Sequence, residues 1–424
     1  MTPSPRQTRL AGPLDRAGQG SLRAHNLRLV FTHIAAPGGP WSRADVAETT
    51  GLTRATVSSL VDTLLANKLV VELAARVSGR AGRPAIPLAV APGTVAALGL
   101  EINVDFLGVR ALDLTGDVLA EQFSRRDLRG SDPAEVCVRL VRQAYDVATN
   151  LVARGVRVIG AGLALPGIAD HPSGPLRLAP NLGWRDLDVR EVMTQALAVV
   201  AQDEAADRGV VGLLRTVIGG LLVDNEANLA ARTEIDRHQD RSFIYVSGQI
   251  GIGAAIVVDG QVFSGLHGWA GEIGHVVVDP DGPTCACGAT GCLEMYAGKA
   301  SLMAAAGLDP EADISGLLVA YEAGSASART ALGTAAEALG IALANAMNVV
   351  DVGRVILGGC FAPLTEYLRP GLAGQISHRV LSSRWVAGDI EIRASDAREY
   401  AAATGSALTV FDHAVADPAS PLWA

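Results

Sequence analysis

The spacing of hydrophobic and polar positions changes several times along the chain, and each change marks an element. Leu27, Val30 and Ile34 recur at helical intervals, which predicts a helix beginning near Ser21 and stopped by Pro37-Gly38-Gly39-Pro40. Downstream, Ala47, Leu52, Val57, Leu60 and Leu64 supply the buried faces of two short helices joined by a turn at Gly51. Ser42, with Asp45 three residues on, and Thr53 stand where helix N-caps belong. Residues 69–73 and 86–90 read as strands around a tight basic loop, Gly79-Arg80-Ala81-Gly82-Arg83-Pro84. Beyond Val95 the pattern becomes apolar strands at 96–102, 106–113 and 118–122, a helix over 133–153 and a strand over 158–165. A similar series follows: strands at 242–247, 253–258 and 261–263, a helix over 328–350 and a strand at 355–357. Two similar α/β halves imply a cleft between them.

These patterns divide the chain into a flexible arm (1–20), a winged helix-turn-helix (21–90), a first α/β lobe (91–224) and a second α/β lobe (225–397). A C-terminal helix at 398–415 is expected to complete the first lobe. The connection 203–223 is longer than the pattern accounts for. Of the 424 residues 49% are hydrophobic, which is enough for sizeable cores and argues against general disorder. No apolar run long enough to span a membrane is present, and residues 1–10 lack the apolar stretch of a signal peptide. A cytoplasmic protein without a membrane partner is therefore expected.

Charge separates head from body. Residues 1–90 carry 11 positive and 5 negative side chains, whereas the whole chain has a net charge of −9. A basic head is attracted to nucleic-acid phosphates, while an acidic body is repelled. The second short helix would expose Arg54, Ala55, Thr56, Ser58 and Ser59 near its start, small and hydrogen-bonding groups suited to a major groove. Ser42, Arg43 and Thr53 flank that surface, and Arg80 and Arg83 on the wing loop can enter a minor groove or hold phosphates. The expected partner is a double-stranded DNA operator. Half-site geometry requires at least two heads, hence a homodimer or homotetramer.

Three of the five cysteines crowd into eight residues. With His275 upstream, Cys285, Cys287 and Cys292 form H-x9-C-x-C-x4-C, a donor set that fills a tetrahedral zinc shell and leaves no open position. One structural zinc ion per chain is expected. Cys137 and Cys360 read as small buried hydrophobes.

The segments Ala270-Gly271-Glu272-Ile273-Gly274-His275 and Cys285-x-Cys287-Gly288-x-x-Gly291-Cys292-Leu293-Glu294 resemble the ROK family, the repressors, open reading frames and kinases that act on sugars. The resemblance implies an actin-like, sugar-kinase-like body of the ribonuclease H type. It also implies that Glu272, His275, Glu294, Asn181, Asn225 and Glu226 occupy positions that contact a sugar. The chemistry agrees, because carboxylates and amides fixed at a cleft satisfy sugar hydroxyls.

Two departures bear on function. Kinases of the family carry Asp-x-Gly-Gly-Thr after the first strand of the body, where this chain has Glu101-Ile102-Asn103-Val104-Asp105. A second glycine run is replaced by Gly248-Gln249-Ile250-Gly251-Ile252-Gly253, and Glu226 stands where the kinases place an aspartate base. The expectation is a sugar-responsive DNA-binding regulator, a repressor of carbohydrate genes, with no enzymatic activity. The competing readings are a working sugar kinase with an attached head, and a DNA-binding scaffold answering to a protein partner or a phosphosugar.

Overall fold

In a computed structural model of the chain, the residues described are 19–74, 86–170, 174–203, 205–235, 241–381, 390–397, 399–417 and 420–423. They fall into two units: residues 1–95 with 412–424, and residues 96–411.

The first unit contains α1 (Gln19–Ala35), β1 (Trp41–Ser42), α2 (Arg43–Thr50), α3 (Arg54–Ala66), β2 (Val70–Glu72) and β3 (Pro87–Val90). Helix α2 starts because Ser42, extended at φ −83°, accepts from the Asp45 amide while Asp45 caps the Ser42 amide in return. It ends because Gly51 adopts a left-handed conformation at φ 71°. Thr53 caps α3 by accepting from the Thr56 amide. Val30, Phe31 and Ile34 of α1 are buried together with Val46, Val57, Leu60 and Leu64, so three short helices share one core. The strands form an antiparallel sheet in the order β1-β3-β2. The pairing of Trp41 with Leu88 was not visible in the hydrophobic pattern. The end of the chain also joins this unit: Leu422 is buried, the Trp423 ring meets Phe31 edge-on at 5.6 Å, and its carbonyl accepts from Asn67 Nδ2 at 2.9 Å. The wing-loop residues Arg80 and Arg83, and the arm up to residue 18, lie outside the described residues.

The second unit repeats one motif. Its first half comprises β4 (Val95–Ile102), β5 (Phe106–Asp113), β6 (Val118–Arg125), α4 (Pro133–Ala153), β7 (Arg157–Leu165), the short strands β8 (Ile168–Ala169), β9 (Leu176–Ala179) and β10 (Trp184–Leu187), α5 (Val189–Val200), α6 (Arg208–Gly219) and β11 (Leu222–Asn225). Its second half comprises α7 (Glu226–Ile235), β12 (Phe243–Gly248), β13 (Ile252–Val258), β14 (Gln261–Val262), α8 (Glu294–Ala297), α9 (Lys299–Ala305), α10 (Ser315–Glu322), α11 (Ala326–Val350), β15 (Arg354–Gly359), α12 (Thr365–Arg379) and β16 (Glu391–Ala394). The two five-stranded sheets have the corresponding orders β11-β7-β4-β5-β6 and β14-β13-β12-β15-β16. In each, a three-strand antiparallel meander continues into parallel strands on one side. Strand β4 is buried along its whole length, as a strand covered on both faces must be.

The unexplained connection 203–223 proves to be largely helix α6. Asp207 caps it, and Val210, Leu214, Val217 and Ile218 bury one apolar stripe in the core of the first half. The last helix, α13 (Ala401–Ala416), presents its Ala403 amide to the Glu101 carboxylate at 3.0 Å. The expected helix 398–415 is thus present, but residues from 412 onward group with the first unit. Among the described residues no helix is long and apolar enough to cross a membrane.

Candidate ligand cleft, metal centre and nucleic-acid helix

His275, Cys285, Cys287 and Cys292 converge, with their ligand atoms all within 4.8 Å of one another. Two short antiparallel bridges, Val277 with Cys292 and Thr284 with Thr290, fold the loop back on itself. Gly291 sits at φ 71°, and a Cβ there would lie 1.5 Å from the Asp279 carbonyl oxygen, so only glycine allows the strands to close. The Cys287 and Cys292 sulfurs are 3.6 Å apart. Tetrahedral zinc with Zn–S bonds of about 2.3 Å would hold two thiolates about 3.8 Å apart, so the donor set and its spacing fit a metal ion. Nδ1 is the histidine nitrogen near this group, 3.9 Å from Cys285 Sγ.

Glu272 and Glu294 flank this loop, Glu272 exposed and Glu294 half-buried. Glu294 Oε2 accepts from the Ile252 amide at 3.1 Å. A Cβ on Gly251 would stand 2.7 Å from that oxygen and 3.7 Å from Asn181 Nδ2, so Asn181, Gly251 and Glu294 meet at one place. The Glu272 carboxyl is raised above the ordinary carboxylate range, chiefly by desolvation. The Glu294 charge adds to this, while His275 opposes it. Asn225 is less available: its Nδ2 donates to the Gly167 carbonyl at 2.9 Å and its Oδ1 accepts from Ala227 at 2.7 Å, capping α7. Glu226 opens that helix. Burial pushes its carboxyl up to about 8, with the neighbouring charges of Glu101 and Glu272 adding to the shift. Its Oε2 is shut from solvent with no hydrogen-bond partner.

The loop following β4 is filled rather than hollow. Val104 is buried, and its amide donates to Asn103 Oδ1 at 2.7 Å. The Asn103 side-chain amide in turn donates to Gln249 Oε1 at 2.6 Å, joining the loops of the two halves. A backbone donor that a glycine loop would offer to phosphate is therefore already used within the turn. Asp105 is exposed beside it. Glu101 is 1% exposed, and burial raises its carboxyl to about 7 against the hydrogen bond from Ala403.

A cavity of about 290 Å³ opens next to these loops, lined by Asp105, Phe106, Glu226, Gln249, Lys299 and Tyr400 among others. Of the six expected sugar residues only Glu226 lines it. The sequence reading assigned no role to Gln249, Lys299 or Tyr400. The one signal it held was that Lys299 is one of only two lysines in the chain.

In the first unit, α3 leaves Arg54, Ala55 and Ser59 exposed and Thr56 and Ser58 half-buried. Three other residues expected at this surface have internal partners. Ser42 is buried as the α2 cap. Arg43 pairs with Asp62 at 3.0 Å and with Glu72. The Thr53 hydroxyl accepts from the Thr56 amide at 3.2 Å.

The ROK family profile matches residues 215–413. The xylose repressor of Bacillus subtilis (strain 168) is 27% identical over 408 residues, covering 94% of this chain and 98% of its own. Among solved structures, a ROK family transcriptional regulator described as a homolog of the E. coli MLC protein superposes with a TM-score of 0.72 at 23% identity, over 92% of this chain and 96% of its own. A ROK hexokinase from Thermus thermophilus superposes with a TM-score of 0.58 at 25% identity, over 75% of this chain and 98% of its own.

Proposed function

Because the chain carries a ROK family domain over residues 215–413 and matches a repressor nearly end to end, we propose that it is a DNA-binding transcriptional regulator, a repressor of carbohydrate genes, whose cleft binds a sugar and no longer transfers phosphate. The observation that carries this reading is the filled phosphate loop. Val104 is buried there, its amide is bound by Asn103, and Asn103 is tied to Gln249. Asp105 adds negative charge where phosphate oxygens would need donors. The carboxylates and amides suited to hydroxyls remain.

In this reading Asn181, Glu226, Glu272 and Glu294 bind sugar hydroxyls. His275 contributes its second ring nitrogen, and Asn225 positions the loop at Gly167 and the start of α7. The four metal-ligating residues hold a structural zinc ion, whose chemistry is to fix the loop that carries Glu272 and Glu294. Helix α3 enters the major groove with Arg54, Thr56, Ser58 and Ser59. Ser42, Thr53 and Arg43 hold the two helices in the correct relation, and Arg80 and Arg83 of the wing loop contact the DNA backbone or minor groove. A two-fold operator calls for a homodimer or a larger even assembly, working in the cytoplasm where its DNA lies.

A working kinase is the second reading, and the hexokinase likeness favours it. Calorimetry with magnesium ATP, alone and with an aldose panel, separates the two. The receptor reading expects sugar binding with no nucleotide binding and no sugar-dependent ATP turnover. Turnover that disappears in Glu226→Ala would establish the kinase instead.

A further inference from the structure

Strands β8, β9 and β10 form a small antiparallel flap in the first half of the body, and its two ends meet different parts of the second half. At one end the β9–β10 turn carries Asn181, whose Nδ2 stands beside Gly251 and Glu294. At the other end Asp170, the residue after β8, accepts from the indole Nε1 of Trp269 at 3.3 Å. The two crossings stand at opposite ends of β9, about 10 Å of strand apart at about 3.3 Å per residue. One crossing would leave the flap free to turn about it, whereas two fix its angle. Each has an expected sugar carboxylate beside it: Glu294 at the first, and Glu272 three residues along the chain from Trp269 at the second.

Both sides of the second crossing are held in place. On the flap, Asp170 Oδ2 pairs with Arg177 at 2.6 Å, and Arg177 reaches Asp186 of β10 at 3.6 Å. Trp269 takes the remaining oxygen, Oδ1. Arg177 above all, with Trp269 adding to it, holds the Asp170 carboxyl below the usual carboxylate range, so it is an acceptor at neutral pH. On the second half, the loop 264–270 is closed by the Ala270 amide donating to the Ser264 carbonyl at 3.2 Å. It is seated on β13 at Gly271, φ 101°, where a Cβ would lie 2.1 Å from the Ala254 carbonyl oxygen.

The Trp269 ring is 44% exposed, so burial alone does not fix it. An indole has a single N–H and no acceptor, and that donor is spent on Asp170.

We propose that Trp269 is a positioning residue of the ligand site: by holding Asp170 it fixes the flap against the second half, and so sets where Asn181 stands relative to Glu272 and Glu294. The inference rests on the sugar-receptor reading above and adds the residue that sets the geometry between the two sides of that site.

The test uses the full chain as Trp269→Phe, Asp170→Ala and the double variant. It combines calorimetry with xylose, glucose and galactose and hydrogen exchange without sugar. Trp269→Phe keeps an aromatic ring and loses the N–H. Amides of residues 176–187 should exchange at least about threefold faster in both single variants. Each single variant should lose about tenfold in affinity for a sugar that the wild type binds, as loss of a hydrogen bond to a charged group does. The double variant should also lose about tenfold, not a hundredfold, because all three remove one contact. A ring that touched sugar directly would leave Asp170→Ala unaffected. That result overturns the inference, as do losses that multiply in the double variant or an unchanged flap exchange, while sugar binding itself stands. If the wild-type chain binds none of the three sugars, the receptor reading fails and the positioning role with it.

Discussion

Two arginines in the head separate by what they touch. Arg43 is held between Asp62 and Glu72, and removing it leaves two carboxylates without their partner. Arg54, at the exposed start of α3, has room to meet a phosphate or a guanine edge. Arg54→Ala should therefore weaken operator binding by about 1–3 kcal/mol with little change in thermal stability. Arg43→Ala should lower the melting temperature of the head. Titration of labelled operator beside a thermal melt checks both, and the opposite assignment of effects would reverse the two roles. Composition could not distinguish these arginines, since the partners of Arg43 stand 19 and 29 residues away in sequence.

Glu226 gives a second prediction at this scale. Its folded-state carboxyl titrates near 8, above the ordinary value of 4.5. Between those pH values the folded chain holds a proton that the unfolded chain has released. Stability must then fall as pH rises through this window, by a few kcal/mol in all. Glu226→Gln carries no titrating group and should flatten the decline, with the gap from wild type widening between pH 5 and 8. Denaturant midpoints across that range test it, and parallel curves would contradict the buried, proton-holding carboxyl. The sequence identified Glu226 as a substituted base. The protonation state was not legible there, because it depends first on burial in the folded chain and then on the charges of Glu101 and Glu272, residues far away along the chain.

At the scale of elements, the metal loop was the most legible feature. Its ligand spacing is local, and four donors of the right type within one short stretch leave few alternatives. The consequence is mechanical: an ion held by these four donors would, with the two bridges, fix the position of Glu272 and Glu294. Cys287→Ser should lower bound zinc from one equivalent per chain to near zero and lose sugar affinity at least tenfold, as measured by elemental analysis and calorimetry. Full sugar affinity in metal-free protein would overturn the structural role. The caps at Ser42 and Thr53 were legible for the same reason, being set by neighbours three residues away. Helix α6 was not expected, although its apolar stripe lies in the sequence. Gly209, Gly212, Gly219 and Gly220 mask the helical signal, and burial against the first-half core overrides their poor propensity. The β1–β3 pairing and the return of Trp423 to Phe31 depend on contacts dozens to hundreds of residues apart, which no local pattern encodes.

For the whole molecule, the two halves of the second unit repeat one sheet order, and the departures at 101–105 and 248–253 lie at corresponding places, around the first turn of each half's meander. Helix α13 begins at the Glu101 carboxylate, and its residues from 412 on group with the first unit. A regulator built this way must bind sugar with different affinity in its DNA-bound and DNA-free states, and by linkage the sugar must change operator affinity by the same factor. The decisive measurement is operator binding by the full chain, with and without each sugar of the panel at a saturating concentration. The account predicts that at least one sugar lowers operator affinity tenfold or more, and that the effect is lost in Glu294→Ala while sugar-free DNA binding is retained. An operator affinity unmoved by every sugar that binds the cleft would contradict it.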